Sequence, residues 1–240
     1  MGGDGRQVET MEITPEQLKQ RSALFAALDD GDIAGILGLA HSERQPARQV
    51  LFREGEKGDQ LLVLLEGRVK VSLTSPDGKE AILSILEPGQ LIGEMSLLDG
   101  GSRSATVTTL DACRFLVVRR QDFIGFLEHS PHVALALLQA LSMRLRATND
   151  MVGNLSFLNL PARLARVLLN LGQQYGKSSP DGVVIGLKLS QEELGNLVGV
   201  SRESVNRQVR LWVEAGLLDY VHGTLILKDS DALFREALAA

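Results

Sequence analysis

The pattern of hydrophobic and polar positions changes twice along the chain. Between about residues 40 and 120, apolar runs of about five residues alternate with turns such as "EKGD", "LEGR", "SPDGKE" and "EPGQ". Short apolar runs separated by such turn signals are typical of antiparallel strands in a sandwich or barrel. We therefore predict a small all-β unit here, preceded by a short helix over residues 14–28 with Thr14 as its cap and Pro15 at its first position.

A long helical pattern covers residues 121–156. Within it, a seam of mostly apolar residues recurs at alternating steps of four and three: Ala134, Leu138, Leu141, Leu145, Thr148, Val152 and Leu155. A seam sustained over about three heptads favours a dimeric coiled coil, although a single helix packed on its own core could also show it. Thr148 is the polar member of the seam, and such a residue can set the register of a helix pair.

From residue 157 onward, helices are mixed with short strands. The stretch "LPARLARVLLNLGQQYG" is an amphipathic helix that Gly176 ends. We predict that "KSSPDG" is a loop and that "VVIGLKL" forms a strand pair. Together with the all-β unit and the long helix, this pattern predicts an α+β protein.

Residues 189–227 carry the most specific local pattern in the chain. Ser190 and Glu193 form a capping box for a short helix, Gly199 supplies a left-handed turn, and Ser201 caps a second helix. The side chains expected to be buried on this second helix are Val205, Val209, Trp212 and Val213. Those expected on its outer face and exposed first turn are Arg202, Glu203, Asn206, Arg207 and Arg210.

This arrangement indicates a helix-turn-helix that binds DNA. Arginine can bind the guanine edge with two hydrogen bonds, and glutamate can accept a hydrogen bond from the cytosine amino group in the major groove. The following stretch, "LDYVHGTLIL", has the form of a β-wing with His222 and Gly223 at its turn. From residue 157 to the end there are nine Lys/Arg and nine Asp/Glu, so DNA binding would depend on a local basic patch and on salt concentration.

Composition narrows the class of protein. The chain has 240 residues, which fits two domains, and one cysteine, which excludes a disulfide framework, a zinc site or an iron–sulfur cluster built from thiols. The histidine spacing predicts no metal site. No apolar run reaches membrane-spanning length and no signal-peptide core is found, so we expect a cytoplasmic protein. No catalytic motif is found either, and we expect that the protein is not an enzyme.

The stretch "GEMSLLDGGSRSATV", Gly93 to Val107, contains more chemistry than a turn requires. Glycines suffice for the turn, but Glu94, Arg103 and Ser104 together suit a small ligand that carries hydroxyls and a phosphate. Gly93 lets the backbone approach closely, and free N–H groups at the start of a short helix after it would help to hold an anion.

Four stretches together resemble the Crp–Fnr family of regulators, and the resemblance covers roughly residues 20–230. They are "GEKGDQLLVLLEGRVKV", "GQLIGEMSLLDGGSRSATV", "VGNLSFLNLPARLARVLLNL" and "LSQEELGNLVGVSRESVNR". The polar, glycine-rich start of the chain predicts a flexible tail with the start of the first helix over 1–19. The resemblance implies a cyclic nucleotide-binding β-roll over 20–130. It also implies a dimerisation helix over 131–156, with Leu138, Leu141, Leu145 and Val152 in its seam, and a winged helix-turn-helix domain over 157–240.

The resemblance also implies roles for single residues. Glu94 would bind the ribose 2′-hydroxyl, and Arg103 with Ser104 would bind the cyclic phosphate. The rest of the nucleotide site would consist of Gly93, Ala105, and the purine-contacting Thr148 and Asn149, one from each subunit. The cofactor implied is cyclic AMP.

On the DNA side, Arg202, Glu203 and Arg207 would contact a TGTGA-type half-site within an inverted repeat. The further DNA-binding residues are Ser190, Gln191, Ser201 and Asn206. Residues 172–182 fall where the family contacts RNA polymerase, but their sequence differs from the well-known pattern. Two alternatives within the family are a response to cyclic GMP and a regulator independent of nucleotide. A third alternative is a nucleotide-gated regulatory subunit or enzyme. The helix-turn-helix disfavours the subunit, and the lack of a catalytic motif disfavours the enzyme.

Overall fold

The structure is a computed structural model that describes residues 14–239. The predicted tail lies mostly outside these residues. The chain forms two compact units, Met1–Leu145 and Arg146–Ala240, and the boundary falls inside one long helix. Helices and antiparallel sheets occur in both units, which confirms the predicted α+β class.

The first unit contains a strand-rich region flanked by helices. Its helices are α1 (Pro15–Arg21), α2 (Ala23–Ala26), α3 (Asp30–Leu39), α4 (Glu94–Asp99), α5 (Arg120–His129) and the first part of α6 (Pro131–Phe157). Its strands are β1 (Ala40–Gln45), β2 (Val50–Phe52), β3 (Gln60–Glu66), β4 (Val69–Thr74), β5 (Glu80–Leu86), β6 (Leu91–Ile92), β7 (Thr106–Thr109) and β8 (Cys113–Arg119). The all-β segment predicted for residues 40–120 is therefore confirmed, with α4 as its internal helix.

Two four-stranded antiparallel sheets form the roll, in the orders β1-β8-β3-β6 and β2-β7-β4-β5. The central strands β3 and β8 are buried on both faces, because one face lies against the inside of the roll and the other against the helices. The side chains on the inner face include Leu62, Leu64, Phe115 and Val117. Those against the helices include Leu61, Val63, Leu116 and Val118. Burial on both faces explains the unbroken apolar runs "LLVLL" and "FLVV", since alternation is expected only where one face meets water.

The start of α6 belongs to the core of the first unit. Val133, Ala136 and Leu137 are buried against the helical side of the roll, and Leu141 packs on the same cluster. Leu141 is therefore partly covered by the core of its own chain, and its place in a dimer seam stays a prediction. Leu138, Leu145 and Val152 are exposed, with 59%, 62% and 56% of their surface accessible.

The second unit consists of the end of α6, four further helices and a four-stranded sheet. These elements are α7 (Leu160–Tyr175), β9 (Gly176–Ser179), β10 (Gly182–Ile185), α8 (Gln191–Val198), α9 (Arg202–Glu214), β11 (Leu218–Val221), β12 (Thr224–Leu227) and α10 (Ser230–Leu238). The sheet order is β11-β12-β10-β9, and all its pairs are antiparallel. The predicted wing is confirmed as β11 and β12, with His222 and Gly223 at positive φ in the turn between them.

Three local predictions were wrong. The first helix is two helices, because Ser22 adopts an extended conformation between α1 and α2. The predicted loop "KSSPDG" contains most of β9, which pairs with β10 in a hairpin, whereas "VVIGLKL" contributes one strand and not two. Val213 is 40% exposed, so the buried face of α9 ends at Trp212.

Candidate functional site

The turn at Gly93 brings the start of α4 next to Arg103. Gly93 follows β6 with φ 81° and ψ 16°, a left-handed conformation that favours glycine. A Cβ atom at this position would overlap Nη1 of Arg103. The glycine is therefore required both by the backbone conformation and by the close approach of the guanidinium.

Arg103 is 5% exposed and its guanidinium is held by neutral acceptors. Nη1 donates to the Gly93 carbonyl at 3.0 Å and to Oγ of Ser96 at 2.9 Å. Nη2 donates to the Gln60 carbonyl at 2.9 Å, and the guanidinium carbon lies 4.1 Å from the centre of the Phe52 ring. The cation is thus fixed in a pocket whose walls come from β2, β3 and α4.

Burial is costly for this cation. Desolvation lowers the pKa of the Arg103 guanidinium, and the nearby charges of Asp59, Glu94 and Glu56 oppose that shift. Nε of Arg103 is buried and has no hydrogen-bond partner. Nε of Arg103 is therefore a donor that an anion or another acceptor could satisfy.

Glu94, the first residue of α4, is 3% exposed and is also only partly satisfied. Its Oε1 accepts a hydrogen bond from Nη1 of Arg144, while Nη2 of the same arginine donates to the Leu91 carbonyl at 3.0 Å. Oε2 of Glu94 is buried without a partner. The site therefore presents one unpaired acceptor at Glu94 and one unpaired donor at Arg103.

Arg144, Ser96 and Gln60 also belong to this site and were not predicted from the sequence. A signal for Arg144 exists, because it follows the buried Leu137 by seven residues and the partly buried Leu141 by three, and so lies on the same face of α6. No sequence signal identifies Gln60, since it contributes only its carbonyl.

The remaining predicted pocket residues differ in exposure. Ala105 is buried, whereas Ser104 is exposed and its Oγ donates to Sδ of Met95 at 3.4 Å. Thr148 and Asn149 are exposed residues of α6 in the second unit.

The pocket fits a ligand with an anionic group and a hydroxyl. Nε of Arg103 can donate to a phosphate oxygen, and Oε2 of Glu94 can accept from a hydroxyl. Gly58 packs closely beside Arg103, because a Cβ atom there would lie 2.9 Å from Nε and would overlap Ser96 Oγ. The donor set therefore matches a cyclic nucleotide.

The helix-turn-helix is built from the predicted caps. Ser190 and Glu193 form a reciprocal capping box at the start of α8, with Oγ of Ser190 accepting from the Glu193 N–H at 3.1 Å. Gly199 adopts φ 70°, and Ser201 caps α9 by accepting from the Ser204 N–H at 3.3 Å. A Cβ atom at Gly195 would lie 2.7 Å from the Val200 carbonyl, so this glycine allows the tight turn between the helices.

Helix α9 has a buried back and an exposed front. Val205, Val209 and Trp212 are buried. The exposed residues of its first two turns are Arg202, Glu203, Asn206 and Arg207. Nδ2 of Asn206 donates to Oε1 of Gln191 at 2.6 Å, which ties the front of α9 to the start of α8. The backbone N–H and the Ser201 hydroxyl lower the pKa of Glu203, so this exposed carboxylate is ionised at neutral pH.

Two further observations concern the sequence-based predictions about membrane helices and metal sites. Within residues 14–239, no helix is long and apolar enough to cross a membrane. Asp29, Asp32 and His132 bring potential metal ligands within 4.8 Å of one another, which the histidine spacing did not predict because His132 is distant in sequence. Asp29 caps α3 and Asp32 binds His132, so these side chains also have structural roles.

Comparison with known proteins defines the class. Residues 42–130 match the family model of the cyclic nucleotide-binding domain, and residues 162–236 match that of the Crp-like helix-turn-helix domain. The chain is 31% identical over 222 residues to the CRP-like cAMP-activated global transcriptional regulator of Mycobacterium tuberculosis, covering 92% of this chain and 99% of that protein. It is 34% identical over 200 residues to the cAMP-activated global transcriptional regulator CRP of Salmonella typhimurium, covering 82% and 94%.

Solved structures agree with this class. The c-di-GMP responsive global regulator CLP of Xanthomonas campestris superposes with a TM-score of 0.76 at 29% identity, covering 83% of this chain and 99% of that one. The catabolite activator protein of Thermus thermophilus gives a TM-score of 0.52 at 31% identity, covering 90% and 99%. The chain belongs to the CRP/FNR family of transcription regulators, which are not enzymes.

Proposed function

We propose that this protein is a cyclic-AMP-dependent transcription regulator that acts as a homodimer on an inverted repeat of TGTGA-type half-sites. The observation that carries the proposal is that one pocket holds both a buried, unpaired donor, Nε of Arg103, and a buried, unpaired acceptor, Oε2 of Glu94. An unpaired buried donor and acceptor each cost free energy, and a ligand that satisfies both recovers it on binding.

Cyclic AMP would place its groups against these atoms. The cyclic phosphate carries one negative charge and would accept from Arg103 and from the hydroxyl of Ser104. The ribose 2′-hydroxyl would donate to Glu94, whose other oxygen is held by Arg144. Since the charged phosphate meets a buried guanidinium, this contact should provide the largest part of the affinity.

The dimer would form along α6. Leu138, Leu145 and Val152 expose their side chains on this helix, and packing them against a second copy would remove that apolar surface from water. Thr148 and Asn149 lie between these positions and are also exposed. We infer that they contact the purine, so that nucleotide binding and helix pairing influence each other.

The exposed front of α9 would enter the major groove. Arg202, Glu203 and Arg207 would contact the bases of each half-site. Four further residues are expected to contact the DNA backbone or to support the contacts with the bases: Ser190, Gln191, Ser201 and Asn206. Because the second unit carries balanced charge, specific affinity would depend on these contacts, with a marked loss at high salt.

A contact with RNA polymerase would involve the β9–β10 hairpin. This hairpin follows α7 directly and replaces the loop expected from the sequence, and residues 172–182 contain its strand β9 and its turn. We infer that it contacts the polymerase when the regulator is bound to DNA.

The test is calorimetric titration of the purified protein with cyclic AMP, cyclic GMP and cyclic di-GMP, followed by gel shifts on a palindromic TGTGA-type duplex. Tighter binding of cyclic AMP together with nucleotide-dependent DNA binding would support the proposal. If cyclic GMP or cyclic di-GMP binds more tightly, the ligand assignment is wrong. If DNA binding is strong and none of the three binds, the protein is a regulator independent of nucleotide.

A further inference from the structure

Ser96 is a buried serine in direct contact with the Arg103 guanidinium. It lies in the first turn of α4 and is 1% exposed. Its Oγ donates to the Gly93 carbonyl at 3.2 Å and accepts from Nη1 of Arg103 at 2.9 Å. Gly58 packs against this hydroxyl so closely that a Cβ atom there would overlap it. The hydroxyl is therefore confined to one position.

This hydroxyl determines which nitrogens of Arg103 remain available. Nη1 is occupied by Gly93 and Ser96, and Nη2 donates to Gln60. Nε is the nitrogen without a partner. Because a guanidinium is planar, fixing Nη1 and Nη2 also fixes the direction of the Nε–H bond.

The acceptors that hold Arg103 are all uncharged. Within residues 14–239, no carboxylate forms an ion pair with Arg103, although Asp59, Glu94 and Glu56 are near enough to influence its pKa. A serine can therefore orient the cation without neutralising it. An anion that binds at Nε meets the full charge in a direction fixed beforehand, which reduces the ordering cost of binding.

We propose that Ser96 is a positioning residue for the nucleotide site: it holds the Arg103 guanidinium so that Nε faces the cyclic phosphate. The proposal rests on the proposed function. If the direction of the Nε–H bond is fixed, the two exocyclic oxygens of the phosphate are not equivalent in the site. Replacing one or the other by sulfur, in the two phosphorothioate diastereomers of cyclic AMP, should then change affinity unequally.

The experiment measures Kd by calorimetry for cyclic AMP and for each diastereomer, with the wild-type protein and the variant Ser96→Ala. The variant should bind cyclic AMP about tenfold more weakly, because the less restrained Arg103 side chain has to be ordered when the nucleotide binds. The ratio of the two phosphorothioate Kd values should move towards one. Ser96→Cys keeps a weaker acceptor of similar shape and should give an intermediate ratio, which provides a second variant if Ser96→Ala folds poorly.

Ser42→Ala is the matched control, because Ser42 is a buried serine of β1 that makes no contact with Arg103. It should leave both affinity and ratio unchanged. The proposal is overturned if Ser96→Ala weakens both diastereomers equally with the ratio intact, if it binds cyclic AMP as wild type does, or if the wild type does not distinguish the diastereomers. If the wild-type protein binds no cyclic AMP, the result contradicts the proposed function and not only the role of Ser96.

Discussion

The substitution Arg103→Leu tests the nucleotide site most directly. In the folded protein it removes donors from three neutral acceptors, the Gly93 and Gln60 carbonyls and Oγ of Ser96. Each unpaired acceptor costs about 1 kcal/mol, but the substitution also removes a buried cation, whose desolvation is unfavourable. We therefore expect the free energy of unfolding without nucleotide to change by less than about 2 kcal/mol.

The effect on nucleotide binding should be much larger. A hydrogen bond to a charged group contributes about 1.5–3 kcal/mol, and a phosphate that contacts Nε and one further N–H would lose two of them. Even at the lower limit this is about 3 kcal/mol, or a Kd about 150-fold higher. Calorimetric titration with cyclic AMP provides the measurement, and thermal unfolding confirms that the variant is folded.

The matched control is Arg114→Leu. Arg114 lies on β8, where its Nη2 donates to Glu66 at 2.6 Å, and it takes no part in the hydrogen bonds described for Arg103 and Glu94. This variant should bind cyclic AMP with wild-type affinity. If Arg103→Leu is folded and its Kd for cyclic AMP rises less than fivefold, the assignment of the phosphate to Arg103 is wrong.

Three further predictions concern other parts of the chain. Gly93→Ala should destabilise the first unit by at least about 1 kcal/mol, measured by urea unfolding, because φ is 81° and the methyl group overlaps Arg103; unchanged stability would contradict the strain. Arg202→Ala should weaken binding to a TGTGA duplex by about 1–3 kcal/mol and relax the preference at one guanine in gel shifts; unchanged affinity would show a different register of α9. Cys113 should react with thiol reagents only after unfolding, because burial raises its pKa to about 11 and the thiolate is the reactive form; fast labelling of the native protein would contradict this.

Much of the fold is predictable because local signals agree with it. The caps at Ser190 and Ser201 and the turn glycine Gly199 appear in the structure as the sequence indicates, since capping depends on neighbouring residues. The break at Ser22 and the strand β9 are not predictable in this way. β9 contains "GKSS", which has little strand propensity, and it is a strand because β10 pairs with it.

The residues of the pocket were likewise predictable only where they are close together in the sequence. Glu94, Arg103 and Ser104 are predictable because they stand in one short stretch. Arg144 and Gln60 join them through the fold, since one comes from α6 and the other contributes a carbonyl of β3. Heptad spacing did not indicate that Leu141 also packs on the core of its own chain, because such spacing does not distinguish that core from a partner helix.

The position of strands β3 and β8 between two cores determines how the first unit unfolds. Because these strands form a wall shared by the helical core and the roll core, neither core can open without exposing the other side of the same wall. The amides of β3 and β8 should therefore exchange with solvent only when the whole unit unfolds, and the two cores should melt together as one cooperative unit.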